Sequence, residues 1–470
     1  MKKRLAAILK WLGIFILALA VIYAGLMIWS ARKLRQAYAA LEKDGRPMTL
    51  AQLIPSQLKD TENAAPVYQA AILLLKSKSV KDSKQERQTV FGELGNAALA
   101  ILKGSSQAET DAAFKTLRKW LQDPVVVQIF HEIEMATAKP CQYDLDYAKG
   151  GALKLPHLSD NQWLLNILCA KSRLQAADGD AAGAWDTVIC SFRLADASKN
   201  EPIAISQYCR IKHFAICLDN LQQLARTSLP PPAQKMALDE MLEKFDSSKS
   251  LVLCLDSQRL YVCEWVFTSF KEMTGILGIC TMRGGPSKGP VKDCWTPHSP
   301  IGIFAIYASP LAKYDQAVYM DLYRRYTKVA EQSYSPENLR QLEAFENSIP
   351  RCCFWSRGVS GFYILVERFT QFRAQAVVTR AGLAILLYKQ AKGTYPKSLE
   401  DAGLKDAIDP YSQKPLIYKL TEKGFLLYSI GENQKDDGGN NVVFQDGFPP
   451  DIAWIFQIPQ VKDSKAGELQ

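Results

Sequence analysis

The sequence predicts a mainly α-helical protein: an N-terminal transmembrane helix, a helical-hairpin ectodomain and a small C-terminal α+β module with a three-stranded antiparallel sheet. Three observations predict this fold class. No residue from Trp11 to Trp29 is charged. Apolar residues between Gln162 and Ala225 recur at steps of three and four, which is the helical period. Beyond about Thr394 apolar and polar residues alternate, as they do in half-buried strands.

Residues 1–35 are predicted to be a membrane anchor. The 19 uncharged residues from Trp11 to Trp29 would extend about 28 Å as a helix, close to the thickness of one hydrocarbon core. The alternative is a cleaved signal peptide, but its apolar region would be only about 7 to 15 residues long and would end in small residues. Four basic residues precede the stretch and three follow it closely. We therefore expect a single span through residues 11–29, with the N-terminus cytoplasmic and the bulk of the chain on the outer side.

The net charge of +9 does not predict a nucleic-acid partner. Seven of the 57 Lys and Arg residues lie in the first 35 positions, which contain no Asp or Glu, so the remainder carries 50 basic and 48 acidic residues. A domain this close to neutrality has no general electrostatic attraction for DNA or RNA. Lys and Ser residues are dense from Lys76 to Arg87, and that segment is predicted to be a solvated loop.

Residues 36–274 are predicted to form the helical ectodomain. One helix ends at Ala177, Asp178-Gly179-Asp180 forms a break, and a second helix runs antiparallel to the first from Ala181 to about Ser198. A third helix follows and ends before the three prolines after Leu229. The buried face of this third helix comprises Ile205, Tyr208, Ile211, Ala215, Leu218, Leu221 and Ala225.

Four further segments are predicted beyond the ectodomain. Glycine and proline are concentrated in residues 275–302, which we interpret as a long loop or domain boundary. Residues 303–360 continue the helical pattern. Residues 361–460 form the α+β module, which begins with a long helix near Phe362, and residues 461–470 form a polar tail.

The C-terminal module carries the pattern of a small sheet. Alternation from Leu416 to Leu420, a turn at Gly424 and further alternation from Phe425 to Ile430 predict a β-hairpin. Val442 to Phe444 is predicted to supply the third strand.

Several short motifs follow one another along this module. They are Tyr388-Lys389-Gln390-Ala391-Lys392-Gly393-Thr394-Tyr395-Pro396, Leu399, Asp409-Pro410-Tyr411, Leu416-Ile417-Tyr418, Phe425-Leu426-Leu427-Tyr428-Ser429-Ile430-Gly431 and Asp437-Gly438-Gly439. Together they resemble the globular end of the major pseudopilins of type II secretion, over roughly the last hundred residues. The resemblance implies a long helix followed by a short antiparallel sheet and an acidic, glycine-rich loop. Pseudopilins also begin with a processed apolar helix that bears a glutamate. The apolar stretch here has no acidic residue, so we do not expect assembly into a fibre.

The acidic loop of pseudopilins can bind calcium, and the resemblance implies the same here. Calcium takes six to eight oxygen ligands. Asn433 stands where the family pattern has a carboxylate, which removes one charge from the site. The alternative is a solvated, turn-rich loop. The candidate calcium ligands are Asp436, Asp437, Asp446 and Asp451.

Eleven cysteines are many for a reducing compartment, and an odd number leaves at least one unpaired. Most lie inside apolar helical patterns and are interpreted as small buried hydrophobic residues. Cys280 and Cys294 bracket a Gly- and Pro-rich loop, and we predict a disulfide between them. The adjacent Cys352 and Cys353 cannot bridge each other without strain.

No catalytic residue or further cofactor is predicted. The four histidines form no metal motif, and the sequence has no nucleophile elbow, phosphate loop or dinucleotide fingerprint. We therefore expect a membrane-anchored envelope protein with a binding or scaffolding role, whose partner is another envelope protein. Two alternatives remain open: an envelope hydrolase with scattered site residues, and an accessory component of a secretion-type assembly.

Overall fold

The computed structural model describes residues 2–81, 87–104, 106–244, 247–267, 310–358, 363–422, 424–440 and 451–457. These residues are mainly helical, and a three-stranded antiparallel sheet lies near the C-terminus. Both features confirm the coarse part of the predicted fold class, a mainly helical protein with a three-stranded antiparallel sheet near the C-terminus.

Ten α-helices lie in the described residues before Val262, and the last of them continues into a π-helical turn, Val262–Phe267. They are α1 (Lys2–Lys43), α2 (Ala65–Ser77), α3 (Val90–Lys103), α4 (Gln107–Leu121), α5 (Pro124–Ala136), α6 (Pro156–Ala177), α7 (Ala181–Ala195), α8 (Ala204–Leu224), α9 (Pro232–Lys244) and α10 (Ser247–Tyr261). The later helices are α11 (Pro310–Ala330), α12 (Pro336–Ser348), α13 (Phe354–Gly358) and α14 (Tyr363–Lys392). The strands are β1 (Ser79–Lys81), β2 (Arg87–Thr89), β3 (Ile417–Thr421), β4 (Gly424–Ser429) and β5 (Ile452–Gln457).

Helix α1 is continuous for 42 residues and is long and apolar enough to cross a membrane. None of its most apolar 18-residue window is buried in the fold, whereas the core helix of a soluble protein would be mostly covered. Further along the same helix Leu34 and Leu41 are buried. One helix therefore leads from an uncovered apolar stretch into the packed protein.

The predicted helical hairpin is present as α6 and α7. Gly179 adopts the left-handed conformation that a glycine favours, and the Asp180 side chain accepts from the Gly183 N–H at 2.9 Å, capping α7. Helix α6 begins at Pro156, earlier than the apolar pattern indicated, because proline suits the first turn of a helix. Helix α8 ends at Leu224, before the three prolines as predicted, and α9 begins at the last of them, Pro232. Ile205, predicted on the buried face of α8, is instead 49% exposed, because the first turn buries Gln207, whose amide donates to the carbonyls of Ser198 and Glu201.

The segment predicted as a loop from Lys76 to Arg87 contains two short strands. Ser79 pairs with Thr89 and Lys81 with Arg87 in an antiparallel ladder, and residues 82–86 lie outside the described part of the chain. The prediction of a loop was wrong at both ends of this segment. Charge density indicates solvent exposure, but it does not reveal that neighbouring helices bring two polar backbone segments side by side.

The C-terminal sheet has the order β3-β4-β5, and both pairs are antiparallel. Its third strand is Ile452–Gln457, whereas the predicted strand at residues 442–444 lies outside the described residues. The sheet packs on α14, where Gly382 leaves room for the indole ring of Trp454. Buried side chains from Leu34 to Phe456 form one continuous core cluster. The predicted loop at 275–302 and the tail at 461–470 also fall outside the described residues, and the domain boundaries stay a prediction.

Candidate functional site

The predicted calcium loop forms a network of internal hydrogen bonds. Asp436 Oδ1 accepts from the Tyr428 hydroxyl at 2.7 Å and from the Gly438 N–H at 3.0 Å. Asp437 Oδ2 accepts from the Asn433 side-chain amide at 2.6 Å. These bonds stabilise a turn, so the two carboxylates face protein donors.

Asp451 differs from these two residues because its side chain is fully buried. Its Oδ2 accepts from the N–H groups of Gly439 and Asn440 at 2.8 and 3.2 Å, while its buried Oδ1 has no hydrogen-bond partner among the described residues. Burial raises the pKa of the Asp451 carboxyl group, although the two N–H groups act in the opposite direction.

The described acidic residues do not by themselves make a metal site. Across the described ranges, no three His, Cys, Asp or Glu side chains lie close enough together to hold an ion. The fourth predicted ligand, Asp446, lies outside these ranges, as do Cys280 and Cys294 and their predicted disulfide. Calcium binding and the disulfide therefore stay predictions.

A second feature is an open cleft of about 590 Å³, which we call the stalk cleft because it lies at the end of α1. Its walls come from the turn after α1, from α10 and from the end of α11. A volume of this size is within the range of ligand-binding sites in proteins. The lining residues are Gly45, Arg46, Pro47, Gln52, Leu53, Ser248, Lys249, Val252, Leu253, Asp256 and Glu331.

The turn that forms the rim of the stalk cleft follows from the local sequence. Helix α1 ends where Gly45 adopts a left-handed conformation, and Pro47 cannot continue the helix. Asp44, just before the turn, pairs with Arg324 at 2.6 Å and with Lys328 at 3.1 Å. These ion pairs fix the end of α1 on α11.

The floor of the stalk cleft is a network of charged side chains. Arg46 contacts Asp256 at 3.5 Å and also donates to the Glu331 carboxylate. Asp256 Oδ1 accepts from Arg259 Nη2 at 3.0 Å, and the same Nη2 donates to the Pro47 carbonyl at 2.6 Å. Burial lowers the pKa of Arg46, but the hydrogen bond to Glu331 and the charge of Asp256 outweigh it and raise that pKa.

The stalk cleft combines a rigid charged floor with apolar walls. Leu53, Val252 and Leu253 are half-buried, and Lys249 is exposed at the rim. Such a surface can cover an apolar side chain of a ligand while the charged groups set its orientation. In the sequence, Gly45-Arg46-Pro47 is an ordinary turn signal. It gives no indication of the cleft, because the ion partners of Arg46 are 210 and 285 residues away along the chain.

A third cluster is buried and polar. His157 Nε2 lies 3.0 Å from Glu201 Oε1 and 3.2 Å from Glu201 Oε2. The His157 ring stacks on Tyr143, with ring centroids 4.1 Å apart, and the Tyr143 hydroxyl donates to Asn161 at 2.8 Å. His157 and Glu201 are 44 residues apart along the chain, so the sequence gives no indication of this pairing. These contacts pair most of the buried polar groups of the cluster and stabilise the fold, while Asn161 Nδ2 has no hydrogen-bond partner among the described residues.

Comparison of the chain with models of protein families, with curated proteins and with solved structures gave no significant match.

Proposed function

We propose that this chain is a single-pass envelope protein that binds another envelope protein through the stalk cleft. Helix α1 is the membrane anchor, with its N-terminus in the cytoplasm and the rest of the chain on the outer side. The observation that carries the proposal is that the cleft lies directly after the end of that same helix. Trp29 and Lys43 are 14 positions apart in α1, so the cleft lies about 20 Å beyond the end of the apolar stretch.

The geometry of the stalk cleft favours a protein segment as its ligand. A small molecule is usually enclosed over most of its surface, whereas this cleft is open to solvent. An open cleft suits a polypeptide, because the chain continues beyond the cleft at both ends of the bound segment. Leu53, Val252 and Leu253 suit an apolar side chain of that segment. Lys249 and the half-exposed Glu331 are placed to contact its polar groups.

Photocrosslinking in living cells tests this proposal. Full-length chains carry p-benzoylphenylalanine at Leu253, in the cleft, or at Leu420, an exposed leucine of β3 that serves as the matched control. We expect one discrete protein adduct from position 253 and none from position 420. The additional substitution Lys249→Glu should weaken the adduct by reversing the charge at the rim.

Two results would contradict binding in the cleft. One is the absence of an adduct at position 253, and the other is the same adduct at both positions. Hydrolytic activity of the purified chain together with a missing adduct would favour the hydrolase alternative instead.

We also propose that the C-terminal module is pseudopilin-like, which would favour an accessory role in a secretion-type assembly. The support is its order of a long helix α14, a turn and an antiparallel sheet. Asp409 of the Asp-Pro-Tyr turn is buried, and its Oδ1 accepts from the Ser429 hydroxyl at 2.7 Å and the Tyr411 N–H at 2.9 Å. Identification of the crosslinked partner by mass spectrometry decides between this role and a scaffold unrelated to secretion.

A further inference from the structure

An aromatic pair fixes where the folded domain meets the end of the apolar stretch. Trp29, the last residue of that stretch, packs against Tyr314 of α11 with ring centroids 4.7 Å apart. Later in the two helical segments, Asp44 pairs with Arg324 and Lys328 of α11. Because both contacts occur in the same order along the two segments, α1 and α11 run side by side in the same direction. The beginning of α11 therefore lies at the depth of Trp29.

The next residue of α11 holds a second element at this depth. The buried carboxylate of Asp315 accepts from the backbone N–H of Trp355 at 2.9 Å and of Ser356 at 3.1 Å, and from the Ser356 hydroxyl at 2.6 Å. It thereby caps the short helix α13. One residue advances a helix by only about 1.5 Å, so the beginning of α13 lies close to the level of Tyr314.

The surface around the beginning of α13 is apolar and basic. Phe354, the first residue of α13, is 46% exposed although it is a large aromatic side chain. Arg351 and Arg357 are exposed on either side of it, and the segment from Ser348 to Gly358 contains no acidic residue. Aromatic and basic side chains together are typical of residues at a membrane interface.

We propose that this α13 surface, formed by Arg351, Phe354 and Arg357, is a second contact with the bilayer that α1 enters. The inference rests on the proposed anchor. Phe354 inserts at the boundary between headgroups and acyl chains. Arg351 and Arg357 contact anionic headgroup phosphates, Arg357 in addition to the bond that its Nη1 donates to the Ile349 carbonyl at 2.9 Å. Anchor and α13 surface together hold the folded domain against the membrane at two points, which restricts rotation about α1.

Two observations favour lipid over a protein as the occupant of this surface. The α13 surface lies at about the same level along α1 as the Trp29 and Tyr314 pair, where the apolar stretch of α1 ends. Its charge is uniformly positive and complements anionic lipid headgroups, whereas the stalk cleft mixes both signs of charge.

The test uses the full-length chain in nanodiscs that contain phosphatidylethanolamine and phosphatidylglycerol. p-Benzoylphenylalanine replaces Phe354, and adducts of one lipid mass are measured by mass spectrometry after illumination. Position Leu19, within the apolar stretch, is the positive control for the anchor. Met236 of α9 is the matched negative control, because it is a large apolar side chain that is 71% exposed.

We expect lipid adducts at positions 354 and 19 and none at 236. Exchange of phosphatidylglycerol for neutral lipid, or the double substitution Arg351→Glu and Arg357→Glu, should lower the yield at position 354 several-fold and leave position 19 unchanged. Lipid adducts at 19 but not at 354 would overturn this inference alone. Absence at both positions would overturn the anchor itself, and a protein adduct at 354 would assign the α13 surface to a protein partner.

Discussion

Asp256 and Arg259 form a buried ion pair one turn apart on α10, with Oδ1 and Nη2 3.0 Å apart and side chains that are 4% and 1% exposed. Asp256 also contacts Arg46, the first charged residue after the α1 turn. A single carboxylate therefore connects the turn after α1 to α10 in the floor of the stalk cleft.

Removal of this carboxylate should destabilise the protein strongly. We expect Asp256→Ala to lower the free energy of unfolding by about 3–5 kcal/mol, because it leaves the Arg259 guanidinium buried without its counter-charge. The control is Asp239→Ala, which breaks a pair between neighbouring turns of α9 whose side chains are about 40% exposed and should cost less than about 1 kcal/mol. Urea denaturation of both variants in detergent measures the difference. Equal losses would contradict a special role for the buried pair.

The close approach of α14 and β5 predicts the effect of a small substitution. A Cβ atom at Gly382 would lie 2.0 Å from Trp454 Cε3, so Gly382→Ala must displace the sheet from the helix. We expect a loss of about 1–3 kcal/mol of stability. Gly358→Ala, at a position with open space around it, should be nearly neutral. The same melting temperature for both variants would show that the sheet does not pack on α14 as described.

His213 predicts a pH dependence of stability. It is buried on α8, and its Nε2 has no hydrogen-bond partner among the described residues. Burial lowers its pKa to about 4 from an ordinary 6.5. Between these values the unfolded chain binds a proton that the folded chain does not, so stability falls as the pH falls from 6.5 to 4. The full shift corresponds to about 3 kcal/mol.

His213→Leu should remove this contribution, since leucine does not titrate. Denaturation of the variant and of the unaltered chain at pH 7, 5.5 and 4.5 gives the comparison. We expect the stability of the variant relative to the unaltered chain to rise toward low pH. A constant difference across this range would contradict the assignment.

Calcium binding at the acidic loop predicts a shift in melting temperature. An ion that binds only the folded chain stabilises it by about 2.7 kcal/mol at a concentration 100 times its dissociation constant. Asp451→Asn should abolish the shift, because it removes the charge of the buried carboxylate. Asp239→Asn serves as a control for general charge effects. No change on chelation of calcium would contradict this prediction.

The sequence predicted those parts of the fold that depend on local periodicity. The steps of three and four from Ile205 to Ala225 identify α8, the three prolines after Leu229 mark its end, and the alternation around Gly424 identifies the hairpin of β3 and β4. Each signal lies within one segment, so spacing identifies the element. It was wrong about Ile205, which is 49% exposed, and it did not indicate the buried polar residues Gln207 and Arg210 on the same helix.

The parts that sequence analysis missed depend on contacts between distant segments. Arg46 and Asp256, Asp315 and Ser356, and His157 and Glu201 are pairs whose members lie 41 to 210 residues apart. Each residue alone fits an ordinary turn, helix face or loop. Only the packing of α1, α10 and α11 brings the stalk cleft together, so a single sequence could not indicate it.

Membrane anchoring by α1 underlies both proposed binding surfaces, and extraction of membranes from cells that produce the full-length chain tests it. We expect the chain to stay in the membrane pellet through an alkaline carbonate wash and to be released only by detergent. Two arginines in the apolar stretch, Leu17→Arg with Leu19→Arg, should shift it toward the soluble fraction, because each costs about 2.5–3.5 kcal/mol in the bilayer centre. Recovery of the unaltered chain in the soluble fraction without detergent would contradict membrane anchoring by α1.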